Sequence, residues 1–156
     1  MNGKEAADIV QREYKYLRNI LKGFVPQHGD FCPCPGMMTT AQQINHIAQT
    51  VAWFREGAFG KGFNLDFEKI ENANPRTVTL TDAFAELESQ YTSYISFLEG
   101  LSDTDLQAPM PENPIFGAAP KMTVFDAQSD HTAHHRGALC VYLRLLGIVP
   151  AMVYQE

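Results

Sequence analysis

Asp130-His131-Thr132-Ala133-His134-His135-Arg136-Gly137-Ala138-Leu139-Cys140-Val141-Tyr142-Leu143-Arg144-Leu145-Leu146-Gly147 is the stretch that decides the fold. His131, His135, Leu139, Tyr142 and Leu146 recur at helical spacing and share one face. An α-helix turns about 100° per residue, so positions four apart differ by about 40° and positions three apart by about 60°. His131 and His135 are therefore the better-aligned pair, and His131 with His134 is the second choice. A helix carrying two imidazoles above an apolar stripe buries that stripe against other helices, so the rest of the chain must supply partners.

It does. Ala6, Ile9, Val10, Leu17, Ile20, Leu21 and Phe24 form a stripe that predicts a first helix over about 4–22, stopped by Gly23 and Pro26. Thr39 and Gln42 read as a capping box opening a second helix that runs to about Phe59, with Ile44, Ile47, Val51, Phe54 and Ala58 on its apolar face. His46 lies beside that face. Thr81 is placed to cap a third helix running to Glu99, with Phe84, Leu87, Tyr91, Tyr94, Ile95 and Leu98 facing inward. Thr123 is placed to cap the fourth, which ends near Leu146 at Gly147 and Pro150. The segment Arg76–Thr81 could be extended chain. The expected fold class is all-α, an up-and-down four-helix bundle filling one domain over 1–156.

Composition narrows the function classes. The chain has 156 residues, 45% hydrophobic and 19% charged, ordinary for a globular protein large enough to fold without disulfides. Net charge is -6 and the twelve basic residues look scattered, which argues against nucleic acid as a partner. No apolar run approaches the roughly 20 residues of a membrane span, and the polar start Met1–Asp8 does not read as a signal peptide. Three cysteines, Cys32, Cys34 and Cys140, fit a reducing cytoplasm better than a secreted disulfide framework. Gly60-Lys61-Gly62 is too short for a phosphate loop, and no nucleophile elbow is present.

Two imidazoles on one helix and His46 on another make a three-nitrogen set with a coordination position left over. Neutral imidazole suits Zn, Ni, Fe and Cu, with Mn weaker. Asp126, Gln128 and Asp130 are placed to orient the ring N–H groups. The loop Phe31-Cys32-Pro33-Cys34-Pro35-Gly36-Met37-Met38 offers either a second metal site with His28 or a redox dithiol. Its simplest reading is two loop cysteines with prolines stiffening the backbone. Cys140 reads as core.

Ile44-Asn45-His46-Ile47-Ala48-Gln49-Thr50-Val51-Ala52-Trp53-Phe54 and His131-Thr132-Ala133-His134-His135-Arg136-Gly137, continuing into Val141–Pro150, resemble the DinB/YfiT family of small metal-binding bundles. The resemblance covers nearly the whole chain. It implies a divalent metal (Zn, Ni, Mn or Fe) on His46, His131 and His135, a homodimer, and for some members transfer of a low-molecular-weight thiol to a small-molecule substrate. The Cys32–Cys34 loop is not part of that pattern. The expected function is a metal-dependent thiol S-transferase. The alternatives are a metal-dependent hydrolase, which lacks a motif-placed carboxylate base, and a non-catalytic metal- or ligand-binding stress protein.

Overall fold

A computed structural model describes residues 1–155. Four long helices carry the core: α1 (Gly3–Leu21), α2 (Thr40–Phe59), α4 (Leu80–Glu99) and α6 (Val124–Leu145). Two short ones, α3 (Phe67–Asn72) and α5 (Asp103–Gln107), lie inside the connections between α2 and α4 and between α4 and α6. No strand occurs among the described residues, and Arg76–Thr81 is a turn, a short extended link through Thr79 and the start of a helix.

Around the bundle α1 packs on α4 and α6, and α2 packs on the same two, which leaves α1 and α2 diagonal. The N-terminus of α1 meets the C-terminus of α4 at Gly3, where a Cβ would fall 2.2 Å from the Leu98 carbonyl oxygen. Only glycine permits that approach. Phe59 at the end of α2 packs on both Phe97 near the end of α4 and Phe125 near the start of α6. The helices therefore run up, down, down, up. The expected alternation holds for the first and last pairs and fails in the middle, because the α2–α4 connection travels back along the bundle. Asn74 holds it there. Its side chain donates to the Gln42 carbonyl (3.0 Å) and accepts from Asn45 Nδ2 (2.9 Å), while Gln42 Nε2 donates to the Asn74 carbonyl (2.8 Å).

Three of the four long helices have a side-chain N-cap, and of the expected caps only Thr39 with Gln42 is found as read. Asn2 with Glu5 and Thr39 with Gln42 form capping boxes. Thr79, two residues before the expected Thr81, caps α4 by accepting from Asp82 N. Thr123 does not cap α6. Its backbone is already helical, in a 3-10 turn over Lys121–Thr123 that leads straight into the helix. Cys140 is partly buried and packs against the core.

One core position breaks the apolar stripe of α1. Glu13 is 6% exposed, between Val10 and Leu17. Its carboxylate accepts from Thr132 Oγ1 (2.9 Å), Ser129 Oγ (2.9 Å), Gln128 Nε2 (3.2 Å) and the Tyr91 hydroxyl. A buried carboxylate persists only when hydrogen-bonded in this way. Three of the donors lie on α6, so Glu13 fixes the register of the helix that carries His131 and His135.

Candidate metal centre

Antiparallel packing of α2 on α6 sets His46 opposite His131 and His135. His131 Nε2 lies 3.2 Å from His46 Nε2 and 3.2 Å from His135 Nε2. The three potential ligand atoms all fall within 4.8 Å of one another. Tetrahedral coordination with zinc–nitrogen bonds of about 2.1 Å requires nitrogens about 3.4 Å apart, so the spacing fits a metal ion. His134, the second choice at i+3, is exposed and only touches the edge of His135, at a centroid distance of 5.0 Å.

The hydrogen bonds fix the tautomer of one ring. The Met38 carbonyl can only accept, so the Tyr142 hydroxyl donates to it at 2.8 Å. The Tyr142 oxygen then accepts from Gln43 Nε2 at 3.3 Å. That turns the Gln43 carbonyl oxygen toward His135 Nδ1, 2.6 Å away, and makes Nδ1 the N–H donor. A neutral His135 consequently keeps a lone pair on Nε2, aimed at the other two rings. Without a cation, the three converging nitrogens have at most one shared proton between them. A cation at their centre satisfies all three lone pairs, so the donor set fits a divalent ion. Among the described residues His131 Nδ1 is buried without a partner, so nothing comparable fixes that ring.

Burial keeps the imidazoles neutral. It lowers the pKa of His46, and it lowers His131 to about 4 with the neighbouring His46 and His134 adding repulsion. Burial likewise lowers His135 to about 3, with the same kind of repulsion from His131, His46 and His134. Neutral rings present lone pairs without first losing a proton.

The residues expected to orient the rings do not. Asp126 and Asp130 are exposed, and Gln128 turns its amide to Glu13 on the far side of α6. Gln43 takes that role instead. Gln43 lies one turn before His46 on α2, among polar residues that the sequence does not rank above one another. His28 lies outside the histidine cluster, its Nδ1 accepting from Val25 N at 3.2 Å, so the expected alternative of His28 with Cys32 and Cys34 as a second metal site is not assembled among the described residues. Further along α2, Trp53 packs edge-on against Phe54 and at a tilt against Phe63, and Phe116 from the α5–α6 connection joins them. This cluster ties the two long connections to the helix that carries His46.

Among solved structures, a DinB-like protein from Bacillus subtilis is similar, with a TM-score of 0.68 and 19% identity, over 96% of this chain and 99% of that one. At that identity the likeness concerns the fold. A search of curated proteins finds no match. The DinB superfamily model matches residues 9–139, a span holding all three histidines and Gln43. The chain belongs to the DinB superfamily.

Proposed function

We propose that His46, His131 and His135 hold one divalent metal ion, and that the protein uses it to transfer a low-molecular-weight thiol to a small electrophile. The observation that carries the reading is the convergence of three neutral Nε2 atoms, one of them oriented by Gln43. A bound ion would supply a Lewis-acid position that favours the thiolate form of a small thiol, the form that attacks electrophiles.

The chain's own part is positional and electrostatic. Three neutral ligands add no negative charge, so the full double charge of Zn, Ni, Mn or Fe remains available to an anionic sulfur. Gln43 holds the His135 ring in the tautomer that binds. Trp53 lies two turns along α2 from His46 and is partly exposed, so an aromatic face is available on the helix that carries His46. No carboxylate joins the histidine cluster among the described residues, so the general base that hydrolysis wants is not at hand, and thiol transfer ranks ahead of it. The reading includes a cytoplasmic homodimer. Val141, Leu145, Val149 and Met152 are exposed and apolar, and a second copy would cover them.

The test is consumption of a small thiol and an activated aryl halide by zinc-, nickel- or manganese-loaded protein, with His46→Ala as control. Metal-dependent turnover lost in the variant supports the reading. Tight metal binding with no turnover for any thiol would leave the non-catalytic binding protein as the correct description.

A further inference from the structure

The Cys32–Cys34 loop is joined to the histidine cluster by hydrogen bonds, although its residues are no part of that cluster. Cys34-Pro35-Gly36-Met37 is a tight turn. Met37 N donates to the Cys34 carbonyl at 3.2 Å, and Gly36 has φ +90°. Proline at the second position and a left-handed glycine at the third are the residues a type II turn demands. The Cys32 thiol sits in the mouth of this turn, 3.0 Å from the Cys34 carbonyl oxygen and 3.4 Å from that of Met37.

Two residues of extended chain span about 7 Å, at the outer limit of disulfide reach. The backbone bends at Pro33 and Cys34, which shortens the span. The Cys32 sulfur lies 3.0 Å from the Cys34 carbonyl oxygen, and the Cys34 side chain is exposed. Both ends of the loop are tied to one residue. Phe31 packs edge-on against Tyr142 at 5.8 Å, and the Met38 carbonyl accepts from the Tyr142 hydroxyl. Tyr142 leads through Gln43 to His135.

We propose that Cys32 and Cys34 form a reversible dithiol–disulfide pair that exchanges with low-molecular-weight disulfides, and that its state is passed through Tyr142 and Gln43 to His135. Cys34, the exposed thiol, attacks one sulfur of the small disulfide. Its proton leaves with the departing thiolate as the first small thiol. Cys32 then attacks the Cys34 sulfur of the mixed disulfide, releasing the second small thiol and closing Cys32–Cys34. The small disulfide is reduced to two thiols and the protein pair is oxidised, with two hydrogens transferred. In the oxidised form Cys32 has no S–H left to donate to the Cys34 and Met37 carbonyls, so the turn that carries Met38 loses its anchor. Exposed, strained disulfides of this kind are the labile ones.

The test uses the full-length, metal-free protein, so its outcome is independent of whether the histidines bind metal. The reduced protein is equilibrated with glutathione and glutathione disulfide at a series of ratios, alkylated, and mapped by mass spectrometry. Wild type is expected to lose two hydrogens reversibly within residues 31–38, with Cys140 alkylated throughout. Cys32→Ser is expected to stop at a mixed disulfide on Cys34. Retention of two alkylatable thiols at 32 and 34 in excess glutathione disulfide, or a mixed disulfide on wild-type Cys34 that never resolves, overturns the pair. The link is read from the His135 ring resonances, which are expected to shift on oxidation in wild type and much less in Tyr142→Phe. Oxidation that leaves His135 unmoved overturns the link.

Discussion

Replacing Gln43 with leucine removes the one acceptor that fixes a histidine of the cluster. Gln43 is 7% exposed and His135 is 8% exposed, so water does not take over the lost bond. Leucine is one bond shorter and offers no oxygen. The His135 Nδ1–H, 2.6 Å from the Gln43 carbonyl oxygen in the native protein, is then a buried donor without a partner whenever Nε2 binds a metal. Leaving such a group unpaired costs about 1–3 kcal/mol. Loss of a hydrogen bond to a metal-bound histidine typically weakens metal binding by about 10- to 100-fold, the same range in free energy. The metal-free protein loses less, because its ring can exchange tautomers and present Nε2–H to His131. Zinc affinity should therefore fall further than folding stability. Gln43→Glu keeps an acceptor facing Nδ1 and makes the ring a better donor to metal, so it should bind zinc at least as well as wild type. Competition against a chromophoric chelator at neutral pH gives the affinities, and urea unfolding of the metal-free proteins gives the stabilities. Zinc affinity of Gln43→Leu within twofold of wild type, or equal losses in the leucine and glutamate variants, would refute the reasoning.

Glu13→Gln should destabilise the fold by roughly 2–4 kcal/mol, since an amide cannot accept from all four donors and brings an N–H₂ against them; the urea midpoint reads it, and a midpoint equal to wild type contradicts it. Gly3→Ala should cost roughly 1–3 kcal/mol, because its Cβ would lie 2.2 Å from the Leu98 carbonyl oxygen and push α1 away from α4; thermal unfolding checks this. Acid should weaken the metal-free protein. The unfolded chain takes up histidine protons near pH 6.5, whereas folded His131 stays neutral to about 4 and folded His135 to about 3. Between those values the unfolded state binds more protons, so stability falls as pH drops through 6.5 toward 3 and is unaffected by these groups above it. Urea midpoints that stay flat from neutrality to about pH 5 would contradict the burial of the rings.

The helices and the histidine set were legible in the sequence because each rests on periodicity. Apolar stripes define the four long helices, and the i, i+4 rule separates His135 from His134. The direction of α4 was not legible. It depends on where the α2–α4 connection runs, which the tertiary hydrogen bonds of Asn74 with Gln42 and Asn45 decide. Thr79 and Thr81 are threonines two residues apart, and only the geometry shows that Thr79 is the cap. Asp126 and Asp130 were expected to orient the rings for their charge and proximity in sequence. The orienting group comes from the facing helix, 92 residues away, and a single sequence does not reveal such a pairing. Glu13 left a trace in the form of a carboxylate where the α1 stripe calls for an apolar residue.

The central claim is that three imidazoles from two helices hold one metal ion. Elemental analysis of untagged wild type, His46→Ala and His134→Ala after loading with zinc, nickel or manganese and removal of excess tests it most directly. The account predicts one ion per chain in wild type and in His134→Ala, and no tightly held ion in His46→Ala. Wild type that retains no metal, or a His46→Ala variant that retains as much as wild type, would contradict it.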